Sequence, residues 1–261
     1  MNSPNERTPS VSVSRERQEM RDGQSMASTA ATMASQMNRT ATGEGTAAGQ
    51  QAVGDITANA ITYLKQVYAY LAASMVIAVA AGTVGMGIPF VYEHPFIMMF
   101  LFFGGAMLAH WKPGPPTLFL ASGLAGAMVA PMIALFLGNG MSHIVGQAAA
   151  MTGGIFLGLT FYALTTKRDF SFMGGMLFAG LIVLIVGGLI NMFVQSTVMA
   201  MAFSAMGAMI FSGLILWETQ TLKENPWALH PAAAAFSMFL NVFNLFINLL
   251  QLLGLMGGGD D

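Results

Sequence analysis

The sequence has no cysteine, which excludes disulfides, thiolate metal sites and cysteine nucleophiles but leaves the redox compartment open. Charge is nearly as scarce. Only 8% of the 261 residues are Asp, Glu, Lys or Arg, against roughly 25% in a soluble domain, so water is not the main solvent of this chain. The net charge of −2 leaves no basic excess to attract a nucleic-acid partner. Nor does a charged start lead into an apolar run and a cleavage site, so no signal peptide is expected.

What the chain has in abundance is apolar length, with 55% hydrophobic residues and 30 glycines. A bilayer core of about 30 Å needs roughly 20 apolar residues in a helix. Such runs lie near 66–90, 96–110, 117–137, 144–164, 172–194, 198–217 and 235–255. Each is continuously apolar rather than alternating, which points to helices and excludes a lipid-facing barrel. The expected fold is all-α, a polytopic membrane protein with a seven-transmembrane-helix bundle over residues 60–256. Residues 1–59, rich in Ser, Thr, Gln and Gly with interleaved charge, read as a disordered cytoplasmic tail, and 257–261 as a short C-terminal tail.

Lys and Arg are missing from every second connection. Arg7, Arg15, Arg17, Arg21, Arg39 and Lys65 precede the first span, Lys112 follows the second, Lys167 and Arg168 the fourth, and Lys223 the sixth. The alternate loops, through Glu93 and His94, through Asn139 to His143 and through Gln195 to Thr197, carry none. Basic residues collect on the cytoplasmic side, so the chain reads N-in and C-out. A six-span alternative makes the last segment re-entrant and returns Asp260 and Asp261 to the cytoplasm. Membrane lipids are the one partner that composition itself implies.

Few residues offer chemistry. Clusters among the 23 methionines could bind Cu(I), but without cysteine and with only four histidines they read as adaptable apolar filler. No cofactor, metal site or catalytic residue is expected: Ser212 and Gly213 have no positioned histidine base, and no aspartates pair inside the spans. His110 closes the second span beside Lys112, and the two are candidates for a pH-sensing gate; an interfacial histidine with no special role is the plainer alternative. Glycines at 154 and 158, and at 174, 175, 187, 188, 207 and 213, suit close helix packing, and Pro131 is placed to kink the third span.

The most polar span is the last. Ser237, Asn241, Asn244, Asn248 and Gln251, spaced 4, 3, 4 and 3, fall on one helical face. Amides facing lipid are costly, so this stripe must face other helices or a wet cavity, as interhelical glue or as the lining of a pathway. Asn191 and Gln195 are candidate partners. Glu218 follows Trp217 near the end of the sixth run and reads, on residue chemistry alone, as a snorkelling interfacial charge. A buried position would instead let it exchange a proton or a cation with pH.

Three ordered stretches carry a resemblance. Tyr162-Ala-Leu-Thr-Thr-Lys-Arg-Asp-Phe-Ser-Phe-Met-Gly-Gly175, Phe211-Ser-Gly-Leu-Ile-Leu-Trp-Glu-Thr-Gln220 and Leu240-Asn-Val-Phe-Asn-Leu-Phe-Ile-Asn-Leu-Leu-Gln-Leu-Leu-Gly254 closely resemble the Bax inhibitor-1 family over about residues 60 to 255. The resemblance implies a bundle whose last helix is surrounded by the other six. Calcium-leak members of that family use two acids as a pH-sensitive pair; Glu218 matches the first, but Asn241 stands at the second. This departure is more similar to the bacterial branch that includes the inner-membrane modulator of the FtsH protease. It implies a non-enzymatic protein of the bacterial inner membrane, with an FtsH-type protease as partner. A pH-responsive Ca2+ or cation leak is the alternative.

Overall fold

A computed structural model describes residues 21, 25, 28–36 and 44–257 of the chain, and every described element is helical. Most of the tail expected to be disordered, and residues 258–261, lie outside the described residues. Within that tail, 28–36 are helical and the first long helix already begins at Glu44. Contacts divide the chain into Met1–Asn59 and Ala60–Asp261.

We number the helices α1 (Glu44–Gly85), α2 (Pro89–Glu93), α3 (Pro95–Trp111), α4 (Pro115–Gly138), α5 (Ser142–Thr165), α6 (Met173–Val194), α7 (Thr197–Glu224) and α8 (Pro231–Gly257). Proline sets many of the boundaries. Pro89, Pro95 and Pro115 open their helices in the first turn, where a missing N–H costs nothing. The first apolar run is therefore two elements, with α1 ending at Gly85. Pro131 lies inside α4, which continues through it. At the α6–α7 junction Gln195 adopts a left-handed conformation (φ 54°), and the Ser196 hydroxyl then accepts from Met199 N–H at 3.3 Å to cap α7.

Among the described residues, six helices are long and apolar enough to cross a bilayer. The short one is α3, whose 17 residues span about 26 Å, at the lower limit for a crossing. The last segment, the one open to a re-entrant reading, is instead an unbroken helix of 27 residues, about 40 Å long.

Within the unit Ala60–Asp261, α8 carries the densest burial. Ala234, Ala235, Met238, Phe239, Leu245 and Leu250 are wholly inaccessible, and Phe236, Phe239 and Phe243 stack in series. It packs against α3, α4, α5 and α7. The α6 helix does not share this position. It lies on α7 and presents Phe178, Ile182, Val186, Ile190 and Phe193 outward, the last 82% exposed. An apolar surface of that kind suits lipid, not water.

Glycine permits the closest approaches. A Cβ on Gly126 of α4 would overlap the Ala78 carbonyl of α1, and one on Gly207 of α7 would overlap the Asn248 amide of α8. Gly174, Gly187 and Gly213 likewise lie against Trp217, Phe203 and Leu177. The others of that group behave differently: Gly154, Gly158, Gly175 and Gly188 have nothing within 4 Å, so they mediate no close approach among the described residues.

Candidate functional site in the seam between α7 and α8

The helix that carries Glu218 does not stop at Trp217. No breaker occurs before Asn225 and Pro226, so α7 runs on to Glu224 and places Glu218 a turn and a half inside it. Glu218 is buried, only 6% exposed, which corrects the snorkelling reading. Its neighbour Trp217 points elsewhere, onto Gly174 of α6.

The carboxylate looks into α8. Asn241 donates from Nδ2 to Glu218 Oε2, and Ser237, one turn earlier on the same face, lies beside the same carboxylate. Farther along the antiparallel seam Asn248 lies against Gly207, and Ser204 donates to Gln251 Oε1 at 3.0 Å. The polar stripe of α8 therefore faces α7 along its length. Asn244 and Asn248 turn their Nδ2 groups back to the carbonyls of Leu240 and Asn244, each at 2.8 Å. Their donors are thus satisfied within the helix, and their acceptor oxygens remain for the seam. Ser237, Asn241, Asn244 and Asn248 are each half-buried, and Gln251 is exposed.

Other candidates are not part of this seam. His110 and Lys112 are both exposed at the end of α3, and neither is among the groups bearing on the Glu218 carboxylate. Asn191 accepts from Ser196 N–H at 3.1 Å and so closes the α6–α7 turn, while Gln195 forms that turn with its backbone; neither joins the stripe.

The end of the bundle near Glu218 is held by contacts that sequence reasoning missed. Gln220, buried on α7, accepts from Phe170 N–H at 2.9 Å and donates to the Arg168 carbonyl and to Glu224 Oε1, each at 2.7 Å. Lys223 Nζ donates to the carbonyls of Thr166 at 3.2 Å and Ala163 at 3.4 Å. Together they fasten the basic connection between α5 and α6 onto the last turns of α7. On the exposed side of that connection, Ser171 N–H donates to Asp169 at 2.8 Å, and this holds the Asp169 carboxyl below its ordinary range. Tyr63 of α1 donates to the Leu229 carbonyl at 3.0 Å, so the connection before α8 is tied down as well. Gln220 lies within one of the resembling motifs and its backbone partners Arg168 and Phe170 within another, but Lys223 and Tyr63 lie outside them, and the partners are far away in sequence.

A separate cavity of about 590 Å3 opens between α1, α4, α5 and α8, lined by residues such as Leu71, Met75, Val129, Phe156, Val242 and Phe246. No charged side chain lines it, and the Thr83 and Thr152 hydroxyls are spent on their own helices. The carboxylate and the large cavity are distinct features. What the seam offers chemically is a buried acid held by an amide, and among the described residues no group of three metal-ligating side chains occurs.

A family model described as "Inhibitor of apoptosis-promoting Bax1" matches residues 61–258. An uncharacterized membrane protein of Vibrio cholerae is 40% identical over 144 residues, covering 54% of this chain and 64% of that protein. A protein of Escherichia coli K12 named "Modulator of FtsH protease YccA" is 30% identical over 136 residues, 52% of this chain and 62% of its own length. In both cases the match spans less than two thirds of the relative. A Vaccinia virus "Golgi anti-apoptotic protein" is 32% identical over 204 residues, covering 74% of this chain and 85% of the viral one.

Proposed function

The chain belongs to the Bax inhibitor-1 family, and from that premise we propose that it is a non-enzymatic modulator of an FtsH-type AAA protease in the bacterial inner membrane. Through that partner it would restrain the degradation of other membrane proteins. The printed name of the Escherichia coli relative supports the partner. The structural observation that carries this reading is the Glu218–Asn241 hydrogen bond, in which an amide occupies the place of a second acid and satisfies the first. An acid pair sharing one proton can switch, whereas an acid held by an amide serves to fix α7 against α8. In the same reading the N-terminus is cytoplasmic. What supports it is that Lys112, Lys167, Arg168 and Lys223 fall at helix ends or in connections that alternation of the spans brings to one side, while Lys65 lies inside α1, ahead of most of its apolar run.

Capture of the tagged full chain from native membranes in mild detergent should recover the protease, and raising the chain's level should lengthen the half-life of a membrane substrate. Absence of the protease together with unchanged half-lives would overturn the proposal.

One observation favours a second reading, a pH-responsive cation leak: Glu218 sits at one end of a row of half-buried amide and hydroxyl oxygens on Ser237, Asn241, Asn244 and Asn248. Purified protein in liposomes should then pass Ca2+ with a pH dependence that Glu218→Gln abolishes. Flux equal to that of empty liposomes ends this reading and leaves the first untouched.

A further inference from the structure

The cavity of about 590 Å3 between α1, α4, α5 and α8 has the size that proteins use for ligands, roughly 300–1,000 Å3. Its lining selects the chemistry. No charged side chain reaches it, the Thr83 and Thr152 hydroxyls donate to the carbonyls of Ala80 and Ala148 in their own helices, each at 2.7 Å, and the Tyr68 hydroxyl is inaccessible. Water, at about 30 Å3 a molecule, would need on the order of 20 molecules to fill such a volume, each seeking polar partners that these walls do not supply. A polar ligand meets the same objection, because a desolvated polar group without a partner is costly. Hydrocarbon meets none.

Shape narrows the occupant further. On α1 the lining runs from Tyr68 to Thr83, about 22 Å of helix, against roughly 15 Å for one leaflet's share of a bilayer core. It also takes in Leu137 near the end of α4 and Val145 near the start of α5, so the cavity reaches the end of the bundle away from Lys112, Lys167 and Lys223. Val242, Phe243 and Phe246 form its back, on the side of α8 opposite the polar stripe. Besides Leu137, the exposed lining residues are Ala72, Val79 and Thr83 of α1 and Ala149 of α5, so the cavity opens sideways between those two helices. Two glycines make the slot. A Cβ on Gly126 would strike the Ala78 backbone, which closes α4 onto α1, whereas a Cβ on Gly153 of α5 would meet nothing within 4 Å.

We propose that this slot holds one acyl chain of a membrane phospholipid, which enters sideways between α1 and α5 while the headgroup and the second chain stay in the bilayer. Wall and lipid are equally apolar, so van der Waals fit along the chain does the selecting and the headgroup takes no part.

Native mass spectrometry tests this on the full chain, stripped of lipid in mild detergent and then given dipalmitoyl phosphatidylglycerol. One lipid should be retained, equally well when the headgroup is phosphatidylethanolamine, and lost when the chains are shortened to dioctanoyl. Gly153→Leu grows into the slot and should lose the lipid, whereas Gly154→Leu, at a neighbouring open position that does not line the cavity, should keep it. The dipalmitoyl lipid should raise the melting temperature of the unaltered chain and of Gly154→Leu by a few degrees, and leave that of Gly153→Leu unmoved. Equal retention by both variants would put the lipid on the outer surface and overturn the proposal. So would no retained lipid, or retention that follows the headgroup and not the chain. Retention of palmitate without the phospholipid would make the occupant a free fatty acid, and would overturn it too. If Gly153→Leu fails to fold, the comparison of chain lengths on the unaltered protein decides alone.

Discussion

Replacing Gln220 by alanine should loosen the connection between α5 and α6 without unfolding the bundle. Two of the hydrogen bonds of Gln220 cross to that connection, one from Phe170 N–H and one to the Arg168 carbonyl. The Arg168 backbone lies in an exposed stretch, so its carbonyl is recovered by water and the loss there is about 0.5–1.5 kcal/mol. Phe170 is half-buried, so its N–H is left poorly solvated, at about 1–3 kcal/mol. The sum of about 1.5–4.5 kcal/mol corresponds to a roughly 10- to 1,600-fold increase in local opening. Hydrogen–deuterium exchange over residues 166–172 of the purified protein in detergent reads that opening directly. Gln220→Glu keeps an acceptor for Phe170 N–H but loses the donor to Arg168, and should give an intermediate increase. If exchange at Phe170 rises less than about threefold in Gln220→Ala, the clamp is not what orders the connection, and the Lys223 contacts alone hold it.

Gly126→Val should destabilise the unit at least as much as ordinary overpacking, about 1–3 kcal/mol, because the new atoms meet the Ala78 backbone and not a side chain that can move; Gly154→Ala, with open space around it, should leave the melting temperature unchanged. A double-mutant cycle of Glu218→Gln and Asn241→Leu, read by thermal melting, should show a coupling of about 1–3 kcal/mol, and strict additivity would mean that the two groups do not depend on each other. The Asp169 carboxyl should titrate below the ordinary aspartate range by NMR. Because its folded value is depressed, any stabilisation it lends is present above the unfolded value and lost as pH falls through the folded one, and replacing Ser171 by proline, which removes the donating N–H, should return the titration toward normal.

The spans were legible because lipid demands long unbroken apolar helices, and that demand leaves its record in run length. The stripe on the last helix was legible for the same reason: five polar residues at alternating spacings of 4 and 3 define one face whatever that face meets. The burial of Glu218 was not read from Trp217, since a tryptophan followed by an acid looks like an interface. The better signal was the next breaker, Asn225-Pro226, which lets α7 continue past the charge. Pro89 gave the same kind of warning for α1 and Phe90. Asn191 and Gln195 had the right spacing to meet the stripe, but a left-handed residue at the helix end diverts one backbone and occupies the other side chain. His110 and Lys112 are neighbours in sequence, yet no spacing rule could say that both would be exposed and that neither would bear on the carboxylate.

The four residues from Trp217 to Gln220 show why such a short motif can shape the whole bundle. Successive helical residues turn by about 100°, so four of them cover the full circumference of α7. Each meets something different: Trp217 packs on Gly174 of α6, Glu218 takes the amide of α8, Thr219 faces Tyr68 of α1 and Thr160 of α5, and Gln220 holds the α5–α6 connection. At this level α7 has no free side, although α6, farther out, faces lipid along most of its length. A rotation of α7 that released Glu218 from Asn241 would also drive Trp217 off the glycine and pull Gln220 from the connection. A rotation of α7 therefore breaks these contacts together, although a substitution can remove one of them alone. A ligand or partner acting on the exposed connection at 166–172 would thereby act on the buried carboxylate, through a single turn of helix and with no further element between them.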